Sequence, residues 1–70
     1  MRYAIVIEKA ESNYSAYVPD LPGCATTGAT IVEVEQGIRE AIKFHLAGMR
    51  EDGQPIPQPS SEVEYVDIAA

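Results

Sequence analysis

The chain holds one thiol, Cys24, one imidazole, His45, and an adjacent hydroxyl pair, Ser60 and Ser61. A nucleophilic cysteine needs its thiolate stabilised by a cation, a helix N-terminus or a paired histidine. Cys24 follows Gly23 in PDLPGCATTG, a stretch without a single Lys or Arg. His45 falls on the apolar stripe of a predicted helix, where a hydrogen-bonded core or boundary histidine is the ordinary outcome. Sequence alone leaves a Cys24/His45 pair open, yet a free cysteine in such surroundings reads most simply as a small buried hydrophobe. One Cys and one His cannot assemble a zinc cluster, and Ser60 and Ser61 have no base beside them.

The carboxylates Glu8, Asp20, Glu64 and Asp67 could in principle hold the paired cations of a metal-dependent nuclease, whose ions sit about 3.5–4 Å apart. On a strand, however, Glu64 and Asp67 point to opposite faces. PGCATTGAT has neither the spacing nor the lysine of a phosphate-binding loop. The expectation is a protein that is not an enzyme, with no catalytic residues, no metal and no cofactor.

Bulk properties narrow the setting. The 70 residues suffice for one domain, expected over 1–70, and a chain this short buries a small core that gains from association. A homo-oligomer, dimer or tetramer, is therefore expected. The net charge of −6, with five Lys and Arg in all, argues against direct nucleic-acid binding and for a basic protein partner. The N-terminal apolar run ends at Glu8 and Lys9, too soon for a signal peptide, and no run approaches a membrane span, so a cytoplasmic setting is expected.

The elements that must position these groups follow from periodicity. RYAIVIE (2–8) alternates with apolar residues on both faces and predicts a central strand; YSAYV (14–18) predicts a second, ended by Pro19; CATTG (24–28) predicts a third. TIVE matches a capping box, in which Thr30 accepts from the Glu33 amide and Glu33 reaches back to the Thr30 amide. From Ile31 the stripe Ile31, Val34, Ile38, Ala41, Ile42, His45 and Met49 predicts one amphipathic helix, closed near Gly53. Gly37 within it suggests close approach to a strand. QPIPQPS then crosses a surface, and EVEYVDI (62–68) predicts a fourth strand. The expected fold is α+β, β-β-β-α-β, with sheet order 3-2-1-4 and the helix on one face. That order is also the front part of a ribonuclease H-like fold.

Candidate contact residues are few. The turn residues Asp20, Leu21 and Pro22 are candidates because loops carry contacts on a supporting sheet, and Asp20 is expected to accept from nearby turn amides. Phe44 falls beside the polar face of the helix near Ala47 and Gly48, where an aromatic can anchor a partner.

YSAYVPDLPGCATTGAT, the helix ending in HLAGMREDG and the exit QPIPQPS together resemble the HicB antitoxin family of toxin–antitoxin systems, over nearly the whole chain. The resemblance implies a partial ribonuclease H-like fold without a catalytic carboxylate set. It implies as partner a small HicA-like toxin that cleaves messenger RNA with a histidine and is neutralised by protein–protein contact. Many relatives carry a further C-terminal DNA-binding domain; a short form without one is expected here. Ala29 stands where relatives often place an acid, removing one charge near the helix N-terminus. The alternative from another class is an orphan homo-oligomeric scaffold or regulatory module of the same fold.

Overall fold

The computed structural model describes residues 1–69; Ala70, the last residue of the expected 1–70 domain, lies outside the described residues. Three short strands, β1 (Val6–Lys9), β2 (Tyr14–Tyr17) and β3 (Ala25–Gly28), precede one long helix, α1 (Ile31–Glu51). The strands form an antiparallel sheet in the order β1-β2-β3. Register places Ile7 beside Ala16 and Thr26, and α1 lies over β2 and β3 on that side. The α+β class and the one-sided helix agree with the periodicity.

Two expectations about the sheet change. The first strand pairs only from Val6, opposite Tyr17: Val18 extends the β2–β3 register by donating its amide to the Cys24 carbonyl, the chain then turns at Pro19, and residues 2–5 have no ladder partner. The predicted fourth strand over 62–68 is not formed, so β2 is central and β1 is an edge, in place of the order 3-2-1-4. β-Propensity describes a residue's fit to a pleated surface and does not supply the neighbouring strand. Residues 62–69 are instead exposed, with Tyr65 at 92%.

The helix forms as predicted, with one change at each end of its seam. Thr30 Oγ1 accepts from the Glu33 amide at 3.1 Å, but the Glu33 carboxylate reaches one residue further, to the Ala29 amide at 3.0 Å. Both satisfy amides that the helix itself cannot pair. At the far end the Gly53 amide donates to the Arg50 carbonyl and the Gln54 amide to the Met49 carbonyl, with Gly53 at φ 68°. That is the Schellman closure. The core comprises Ala16, Val18, Leu21, Cys24, Val34, Ile38 and Leu46. Leu46, outside the expected stripe, is buried, while Ile31, at its start, is half exposed. Gly37 faces Thr26, and a Cβ there would lie 3.1 Å from Thr26 Oγ1, the close approach the sequence suggested.

Candidate partner-binding surface

The turn between β2 and β3 is two hydrogen-bonded turns in series. The Leu21 amide donates to the Val18 carbonyl at 3.1 Å, and the Cys24 amide to the Leu21 carbonyl at 3.0 Å. Pro19 and Pro22 occupy the second position of each, and Gly23, at φ 83°, occupies the third position of the latter, the arrangement of a type II turn. The double turn folds Leu21 inward until it is fully buried. Leu21 is therefore a core residue, a correction to its expected place among the contact residues: the two turns leave its side chain only the core side. Cys24 is buried beside it, and desolvation pushes its thiol above the usual range, which favours the unreactive protonated form.

Asp20 also has a role the sequence did not disclose. Its carboxylate accepts four hydrogen bonds: from the Ser60 and Ser61 amides at 3.0 Å each, from Ser60 Oγ at 3.0 Å and from Ser61 Oγ at 2.8 Å. The expected turn amides are taken by backbone carbonyls instead. Donors converging on the ionised form, the Ser61 amide foremost, hold the Asp20 carboxyl down at about 2. The clamp ties the chain after the helix to the β2–β3 turn, and the Tyr3 hydroxyl adds a second tie by donating to the Pro57 carbonyl. Nothing in the sequence marks Asp20 and a serine pair forty residues later as neighbours.

Two of the four candidate contact residues lie together. Pro22 and Phe44 line one shallow groove of about 510 Å³, with Gly48, Met49 and Pro57 along its walls. Phe44 is 83% exposed. Gly48, with open space where its Cβ would be, keeps the groove beside Phe44 low. Pro57 is tied by the Tyr3 hydroxyl, and Asp20 clamps the chain three residues further on at Ser60 and Ser61; His45 is half-buried at the groove's rim. An exposed aromatic flanked by proline and methionine in a shallow depression suits the insertion of a partner's apolar side chain. Among the described residues no group of three or more His, Cys, Asp or Glu side chains is placed to hold a metal ion.

Comparison with known proteins gives a consistent result. Residues 3–69 match the family model described as HicB-like antitoxin of bacterial toxin–antitoxin system. A 14.9 kDa protein from the rep–hol intergenic region of Haemophilus phage HP1 is 40% identical over 67 residues, covering 96% of this chain and 50% of that protein. The chain thus spans half the length of that phage relative. A UPF0150 protein of Helicobacter pylori is 43% identical over 65 residues, covering 91% of this chain and 90% of its own. Among solved structures, a chain of a HicA3 and HicB3 toxin–antitoxin complex superposes with a TM-score of 0.74 at 30% identity, covering 86% of this chain and 70% of that one.

Proposed function

The chain belongs to the HicB-like antitoxin family of bacterial toxin–antitoxin systems, and we propose that it binds and neutralises a small, basic HicA-like toxin that cleaves messenger RNA. The observation that carries this reading is the likeness to a chain of the HicA3 and HicB3 complex over 86% of its residues. The net charge of −6 suits a basic RNA-binding partner, since complementary fields speed encounter and select the partner. The role is non-enzymatic, exercised in the cytoplasm by a single 1–70 domain of partial ribonuclease H-like type, without direct contact to nucleic acid. No helix of the described residues is long and apolar enough to cross a membrane.

Contact is assigned to the groove carrying Pro22 and Phe44, with Asp20, in the turn beside Pro22, clamping the chain that leaves the groove at Ser60 and Ser61. Co-expression tests the function: the chain should co-purify with a small basic HicA-like toxin and restore growth of cells producing that toxin. A chain that neither binds nor rescues overturns the reading. Within a working pair, Phe44→Ala should weaken binding at least about tenfold while leaving folding nearly unchanged, as expected for an exposed aromatic anchor. The scaffold alternative is favoured by one observation, the unpaired outer edge of β1.

A further inference from the structure

The chain has one arm and one place that fits it. Residues 62–69 leave the serine clamp as an exposed segment without backbone partners, carrying Val63, Tyr65, Val66 and Ile68 at 54–92% exposure and the acids Glu62, Glu64 and Asp67. The molecule extends 48 Å along its longest axis, and its radius of gyration is 13.7 Å, against about 11 Å for a compact chain of this length. Beside β1 lie two clefts. One, about 850 Å³, separates residues 2–7 from the arm of the same chain. The other, about 610 Å³, runs between residues 1–5 and α1, floored by Ile5, Ile38 and Leu46. Four of the five basic residues of the whole chain, Arg2, Arg39, Lys43 and Arg50, line this second cleft. Only Lys43 has an ion-pair partner among the described residues, an exposed Glu40 at 3.7 Å.

We propose that the arm of a second copy of this chain adds along the free edge of β1 and lays its alternating acidic and apolar side chains over the basic, apolar-floored cleft beside α1. An edge strand offers a row of unpaired backbone groups, and a tethered segment is at high effective concentration for its own chain's edge. The arm nevertheless stands across a cleft from its own β1, held at its root by Asp20 and Tyr3. Its complement is then the same edge on another molecule. Reciprocal exchange about a two-fold axis closes the assembly, so both β1 edges are covered. Acids of the arm against cations of the cleft give the contact its charge complementarity, and Val63 or Tyr65 beside Ile38 and Leu46 its apolar part. The order 3-2-1-4 read from the sequence is completed between chains. Nothing in this step involves a toxin, so it stands or falls separately from the antitoxin reading.

Sedimentation velocity of the full chain, with isotope-filtered NMR on a mixture of labelled and unlabelled chains, tests the exchange. The expected result is a dimer with inter-chain contacts between residues 2–7 and 62–69, loosening as salt is added. Val66→Pro should raise the dissociation constant at least about tenfold by removing a strand donor, while the amide spectrum of β1, β2 and β3 persists. Four results would overturn the proposal: a monomer, contacts between arm and β1 confined to one chain, a dimer unaffected by Val66→Pro, or a cleft occupied by RNA or a basic partner with the arm still free.

Discussion

The β2–β3 turn and the C-terminal arm are both irregular, both rich in apolar residues, and opposite in fate. Residues 18–24 place Val18, Leu21 and Cys24 in the core and close three backbone hydrogen bonds among themselves. Residues 62–69 hold four large apolar side chains, Val63, Tyr65, Val66 and Ile68, and bury none of them. Apolar content therefore does not decide order here. The turn's prolines and left-handed glycine preset its path, so its amides find carbonyls a few residues away and its side chains reach the core at little additional entropic cost. The arm's amides require a strand from elsewhere.

The sharpest way to break this contrast is Leu21→Ala, which should cost about 2–5 kcal/mol by opening a cavity in the core, measured by denaturant unfolding. A loss below about 0.5 kcal/mol, the range of surface substitutions, would mean the turn is no better anchored than the arm. Next is Gly23→Ala. No atom beyond its own chain neighbours lies within 4 Å of the added Cβ, so its cost is the backbone's alone, about 1–2 kcal/mol for a left-handed conformation. A neutral result would show that the type II turn is not required.

The link between the two regions gives a pH prediction. Asp20 titrates near 2 in the folded chain against an ordinary 3.8, so the unfolded chain binds its proton first on acidification. The clamp's contribution is complete above the ordinary value and is lost as pH falls through the folded one. The Ser60 and Ser61 amide resonances should hold steady from neutrality to about pH 4 and move below it, and Asp20→Asn should abolish that acid limb. Smallest of all, Tyr65→Ser should change the unfolding free energy of dilute, monomeric protein by less than about 0.5 kcal/mol. A larger loss would place Tyr65 against its own chain's core.

Legibility in the sequence followed the range of the interactions. The α1 start at Ile31, its Thr30 cap, its Gly53 closure and the stop of β2 before Pro19 are set within a few residues, and each was readable. The exposure of Phe44 was readable too, because helical phase fixes which way a side chain points. The burial of Leu21 was not, since a turn's direction relative to the core depends on what lies beneath it. Nor was the Asp20 clamp, whose donors lie forty residues away.

Sequence by itself determined the α+β class, the amphipathic helix and the shaped turn, all of which rest on local dihedral preference and periodicity. Tertiary structure decided that β1 is an edge, that Leu21 is core, that Pro22 and Phe44 share a groove, and that four cations converge beside α1. Those outcomes depend on which distant segments meet, and pairing between distant segments is chosen by packing and closure of the whole chain, which no local pattern encodes.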